Sequence, residues 1–282
     1  MSAQIDAQVR LRERAREENF PVASRVLPRD LRATLLAVYG FARLVDDVGD
    51  EAAGDRLAQL DALEAELDAA VAGEATHPVL AALTPVLRTL DCGVAPFRAL
   101  LEANRVDQRV ASYETFDDLR GYCLLSAAPV GRIVLSAFGA TTPARVARSD
   151  DVCVGLQLVE HLQDVGEDAH RGRVYLPRET LEAEGCDLGA LRAASASPAL
   201  RRAVLREARR ADRLLGRGIP LAASMPFRPR LAIAGFVAGG QAALDSVRRA
   251  GGDVLSHACR PTRRGLARRA FAAALAARGT AR

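Results

Sequence analysis

Two sets of aspartates share one spacing. Asp46 and Asp50 lie four residues apart, as do Asp164 and Asp168, and similar steps precede each set: Tyr39 and Arg43 before the first, Gln157 and Glu160 or His161 before the second. Residues three and four apart share a helix face. Each stretch therefore predicts a polar stripe ending in two carboxylates one turn apart. Carboxylates on largely apolar helices are costly unless a cation or donor compensates them. Arginine pairing is one explanation, since Arg43 and Arg171 each lie three residues from an aspartate of a set. The duplication favours another. Two such pairs facing across a cavity would make an oxygen-rich site for Mg²⁺, a hard cation that takes a few carboxylates and completes its shell with water and phosphate oxygens. Arg43, Arg171 and Arg173 supply planar donors for a diphosphate. A metal-neutralised diphosphate leaves readily, so the chemistry expected is ionisation of an allylic or cyclopropylcarbinyl diphosphate. Walls of Ala, Leu, Val and Phe would keep water from the cation.

Other chemistries lack their signatures. The chain contains no GxSxG, HExxH, Walker loop or GxGxxG. His77 and His257 read as solvated loop residues, and His161 and His170 flank the second acidic set without zinc-ligand spacing. Five cysteines are scattered without a CxxC pair, which predicts reduced, mostly buried thiols and a cytoplasmic protein. The charged N-terminal stretch lacks the apolar core of a signal peptide, and no segment reaches the roughly 20 apolar residues needed to span a bilayer. All 39 basic residues other than histidine are arginine, a usage best explained by codon bias. Seven of them lie between Arg260 and Arg282, and subtracting these from the net charge of +4 leaves the body at −3. The body therefore has no charge signature for nucleic acid.

The elements that must position the acids are helices. Aromatics make up only 4% and alternating β-branched runs are missing, so the fold class predicted is all-α. After a polar helix over 4–18, a helix from Leu31 to Val45 is apolar nearly all round, with an odd acidic end at 46–51. Further helices are expected over about 54–72, 79–90 and 95–110. Thr115 with Asp118 predicts a capping box opening a helix towards Gly139, kinked at Pro129. Within it the run from Ser126 to Arg132 places small residues where a helix or a long ligand can approach closely. Thr142-Pro143 opens a helix to about Ala169, followed by helices near 178–184, from Ser197-Pro198 to Leu215, and from Pro229 to Arg249, with a Gly/Pro connection over 216–226. No long linker or solenoid repeat intervenes. The prediction is one domain over 1–282, a helical bundle with a central cavity and a basic tail from about 260.

These motifs resemble the squalene/phytoene synthase family over roughly 15–260. The resemblance rests on Tyr39-x3-Arg43-x2-Asp46-x3-Asp50 and on Gln157-x6-Asp164-x3-Asp168-x2-Arg171-Gly-Arg-Val-Tyr-Leu-Pro177. It implies an isoprenoid synthase-type helical bundle. Glu18–Arg25, Asp46–Glu51 and Ser126–Arg132 look most like the bacterial hopanoid-pathway branch, which ionises presqualene diphosphate and lets water capture the rearranged cation, giving hydroxysqualene without a reductant. By resemblance, Asp46, Asp50, Asp164 and Asp168 hold Mg²⁺, with Asp47 and Glu51 behind them. Arg43, Arg171 and Arg173 bind diphosphate; Tyr39, Gln157, Gln163 and Tyr175 act at the reacting end; Asn19 and Phe20 close the substrate entrance.

Three positions depart from the wider family. Leu125 stands where a tyrosine is usual, Gln163 where arginine is usual, and Glu160 where asparagine is common. Glutamine at 163 again looks like the hydroxysqualene branch, whereas the run Asp164–Arg173 reads like phytoene synthase. Synthesis of presqualene diphosphate or phytoene from two isoprenoid diphosphates stays open as an alternative. Some members of the fold family are non-catalytic scaffolds, a role that does not need two intact acidic sets. Leu266, Ala270, Phe271, Ala274 and Leu275 form a candidate apolar stripe for peripheral membrane contact at the inner face, against the plainer reading of a frayed terminus. Partners implied are the isoprenoid diphosphate and neighbouring pathway enzymes.

Overall fold

The structure is a computed structural model, and it describes residues 29–257, 259–260 and 269. Among these the fold is all-α, and the one isolated bridge joins Ser112 to Val174. The chain forms two compact units. One comprises the described residues up to Gln108 together with Arg132–Thr142; the other comprises Arg109–Gly131 and the described residues from Pro143 onward.

The first unit is built on α1 (Arg29–Asp50), α2 (Arg56–Ala72), α3 (Pro78–Leu87) and α4 (Ala95–Asp107). Leu35, Val38, Phe41 and Val45 bury one side of α1, and Phe41 meets Phe97 of α4 edge-on with ring centroids 5.5 Å apart. That edge-to-face geometry suits two aromatic quadrupoles. The helix runs through Asp50, so the acidic end read from the sequence at 46–51 is helical up to that residue. Asp55 caps α2 by accepting from Ala58 N, and Gly73 ends it at φ +89°, a left-handed conformation that suits glycine. His77, expected in a solvated loop, caps α3: its Nδ1 accepts from Val79 N at 3.3 Å.

In the second unit α5 (Phe116–Ser126) opens on the predicted capping box of Thr115 and Asp118. The long helix expected up to Gly139 is two helices. It breaks at Ala127, and Pro129 sits at the second position of α6 (Ala128–Ala137), where its missing N–H costs nothing. The central element is α7 (Pro143–Gln163), packed by α10 (Pro198–Gly216), α12 (Phe227–Arg249), α11 (Gly218–Ala223) and α5. Gly131 shows what the small-residue run is for: a Cβ there would collide with Ser149 Oγ and lie 2.6 Å from Cys153 Sγ, so the helix it admits is α7.

The helix expected to reach Ala169 instead stops at Gln163. Asp164 leaves helical geometry at φ −107°, ψ 12°, and α8 (Val165–His170) begins after it. The connection after α10 also contains α11, which the glycines and prolines concealed. A short α9 (Arg178–Ala183) and a 3₁₀ turn at Leu188–Arg192 complete the elements named here. The five cysteines carry no disulfide; Cys123, Cys153 and Cys259 are buried. Among the described residues no helix is long and apolar enough to cross a membrane.

Candidate active site

In the first unit, α1 carries Tyr39, Arg43, Asp46 and Asp50 along its last three turns. Arg43 does not neutralise Asp46 by a salt bridge. Its Nη2 lies 2.9 Å from Asp47 and 3.7 Å from Glu51. The Asp46 carboxylate is met by α4, where Asn104 Nδ2 donates to its Oδ1 at 3.4 Å and to Leu100 O at 3.3 Å. Asp46 opens to solvent, yet the surrounding protein removes enough water to push its carboxyl up to about 6; Asn104 opposes that rise and Asp50 adds to it. One turn on, Gln108 Nε2 donates to Gly49 O at 3.0 Å. Gly49 lets the helices close here, because a Cβ would collide with Asn104 Oδ1 and lie 2.8 Å from its Cγ. Sequence reasoning missed Asn104 and Gln108. The available signal was Asn104 itself, an amide at the helical spacing of the apolar Phe97, Leu100 and Leu101 that α4 buries.

In the second unit, Gln157, Glu160 and His161 lie on α7 and lead to Asp164 at the break. The four-residue step survives it: Asp164 N donates to Glu160 O at 3.0 Å, and Asp168 N to Asp164 O at 2.8 Å. Burial raises the Asp164 carboxyl, with Glu167 adding to it. Asp168 is pushed up to about 7, first by burial and then by the charge of Asp164, against the pull of Arg171 and Arg173. Arg171 bridges to Glu167 at 2.8 Å, so in both units the motif arginine pairs with an acid outside the spaced set. Arg173 N donates to Asp168 O at 2.9 Å, and Val174 N to Ala111 O at 2.8 Å. These bonds fix the segment that carries Tyr175.

Tyr175 is buried in an aromatic group that sequence reasoning did not assemble. Its ring stacks on His161 with centroids 3.8 Å apart, and on Tyr122 and Tyr113 at 5.6 and 6.0 Å. Gln163 turns elsewhere: its Nε2 donates to Cys259 O at 2.6 Å, a tether that occupies the amide. Asn19, Phe20 and the stripe residues Leu266, Ala270, Phe271, Ala274 and Leu275 lie outside the described residues. Of the tail arginines, Arg260 and Arg269 are described, and Arg269 donates to both carboxylate oxygens of Asp245 at 2.9 and 2.6 Å.

Carboxylates one turn apart, with Asp46, Asp164 and Asp168 each raised by burial, are a donor set suited to a hard cation. Among the described residues no three His, Cys, Asp or Glu side chains gather to enclose a metal alone. Mg²⁺ takes one or two carboxylates from a protein and completes its octahedron with water and substrate phosphates.

The sequence model of the family described as Squalene/phytoene synthase matches residues 14–268, which run through both units. The chain is 41% identical to the hydroxysqualene synthase of Rhodopseudomonas palustris over 216 residues, covering 74% of this chain and 72% of that protein. It is 35% identical to the phytoene synthase of Mycobacterium tuberculosis over 177 residues, 62% of this chain and 58% of that one. Among solved structures it is similar to squalene synthase HpnC from Alicyclobacillus acidocaldarius, with TM-score 0.81 and 44% identity over 87% of this chain and 93% of that chain.

Proposed function

The chain belongs to the squalene/phytoene synthase family, and from that premise we propose that it converts presqualene diphosphate to hydroxysqualene and diphosphate, with Mg²⁺ as cofactor. The observation that carries the chemistry is the repeated carboxylate pair, one turn apart on each of two helical segments, whose arginine neighbours bridge to Asp47 and Glu167 instead. In this reading Asp46, Asp50, Asp164 and Asp168 hold Mg²⁺, which supplies charge to the departing diphosphate. Arg43, Arg171 and Arg173 take the diphosphate oxygens through planar donors. Tyr39, Gln157 and Tyr175 shape the reacting end, and Asn19 and Phe20 close the entrance. Gln163 acts by holding the end of α7 in place through Cys259 O. The branch is supported by the likeness to the hydroxysqualene synthase of Rhodopseudomonas palustris and by glutamine at 163. Both units belong to one catalytic domain in this reading, as the span of the family match suggests.

The test is to incubate the purified protein with presqualene diphosphate and Mg²⁺, without reductant, and to identify the product by mass spectrometry. Hydroxysqualene with stoichiometric diphosphate is expected. Turnover only with two farnesyl or geranylgeranyl diphosphates would move the protein to the condensing reading, which the phytoene synthase likeness favours as second. Metal stabilisation of transition-state charge is worth several kcal/mol, at about 1.4 kcal/mol per tenfold. Asp164→Asn should therefore lower turnover about 100-fold or more at saturating Mg²⁺. Wild-type turnover in that variant would remove the metal assignment.

A further inference from the structure

His161 lies on α7 one turn beyond Gln157 and three residues before Asp164, on the face that carries both. Three of the chain's four tyrosines gather with it. Tyr175 lies flat against the imidazole at 3.8 Å and 12°, Tyr122 is tilted at 6.3 Å, and Tyr113 backs both tyrosines at 6.0 and 5.4 Å. The His161 Nε2 is enclosed and has no hydrogen-bond partner among the described residues. A buried polar atom left in that state costs about 1–3 kcal/mol. Phenylalanine or leucine would fill the same space without the cost, so packing does not account for histidine. Burial holds the ring far below the usual histidine range, to about 3, and it is therefore neutral at physiological pH with a lone pair on one nitrogen.

An uncharged acceptor walled by electron-rich aromatic faces has a specific use beside a carbocation. The faces tolerate positive charge and exclude bulk water, while the nitrogen holds one water by its proton. We infer that His161 positions the water that captures the rearranged cation and accepts the proton that this water loses, an inference that rests on the hydroxysqualene reading. The water oxygen forms the new C–O bond with its lone pair, one O–H bond breaks, and the proton passes to the imidazole. The proton then leaves to solvent, a return that burial of the imidazolium favours. Nothing is oxidised or reduced.

The experiment compares wild type, His161→Phe and His161→Gln with presqualene diphosphate and Mg²⁺ in ¹⁸O-water. The readout is ¹⁸O-alcohol formed per diphosphate released, a ratio that a general loss of folded enzyme does not move. Proton transfer to a positioned base is worth about 10²–10⁴-fold, so the ratio should fall by about tenfold or more in His161→Phe, with hydrocarbon elimination products replacing the alcohol. The glutamine variant keeps an acceptor and should recover much of the alcohol. Leucine in place of His161 gives the same contrast should the phenylalanine variant fail to fold. An unchanged ratio in these nitrogen-free variants overturns the inference alone. Wild-type protein that releases diphosphate without making alcohol removes the hydroxysqualene reading, and the inference with it.

Discussion

Gly49→Ala tests whether the contact between α1 and α4 holds Asp46 in place. Alanine is favoured over glycine inside a helix by about 1 kcal/mol, so local propensity alone predicts stabilisation. The structure predicts the reverse. The new methyl would collide with Asn104 Oδ1 and stand 2.8 Å from Cγ, and Asn104 is 8% exposed with little room to withdraw. Overpacking of this kind costs about 1–3 kcal/mol. Displacing the amide also forfeits its bonds to Leu100 O and Asp46 Oδ1, together about 1 kcal/mol given their lengths of 3.3 and 3.4 Å. The net expectation is a loss of about 1–3 kcal/mol, with weaker Mg²⁺ activation because Asp46 loses the donor that lowers its pKa. Urea unfolding of wild type, Gly49→Ala, Asn104→Ala and the double variant reads the coupling. Asn104→Ala removes the obstacle, so the double variant should be more stable than the sum of the single losses by about 1 kcal/mol or more. Additivity within about 0.5 kcal/mol would refute the contact as described.

Asp46 and Asp168 have raised carboxyl pKa values, about 6 and about 7, so the folded state binds protons more tightly than the unfolded one. Their contribution to stability is whole below the unfolded value near 3.9 and is lost as pH rises through 6 and 7. Metal-free protein should gain more in Tm from Mg²⁺ with inorganic diphosphate at pH 8 than at pH 5, and a pH-independent gain would count against the assignment. Asp253 behaves oppositely, held down to about 2 mainly by the backbone N–H of Ala196 and then by Ser256. Its contribution is present above about 3.9 and lost as pH falls towards 2. Urea midpoints of Asp253→Asn should therefore fall less steeply than wild type over that range, and identical slopes would discount the hydrogen bonds of Asp253.

The helical fold and both carboxylate spacings were legible because each is a local property: periodicity on α1 and α7, and a four-residue step that backbone bonds preserve even across the break at Asp164. What was not legible is how the acidic end of α1 is held: Gln108 and Asn104, more than fifty residues later, supply donors to it. The break at Asp164 has no proline or glycine at that position to announce it, whereas at Ala127 the nearby Pro129 did signal an interruption, though two residues late. The aromatic group was invisible for a related reason. Tyr113, Tyr122, His161 and Tyr175 come from separate segments, and only tertiary packing brings them into one stack.

The hydrogen bond from Gln163 to Cys259 O bears on how this protein should be shortened. A designer removing the arginine-rich end to improve handling would be tempted to cut just after α12. That cut discards the carbonyl that anchors the residue next to Asp164, and with it the Arg260 carbonyl that receives Ser246 Oγ at 3.0 Å. The boundary for a trimmed protein therefore lies beyond Arg260, and a chain ending sooner should show its damage at the carboxylates, far along the sequence from the cut.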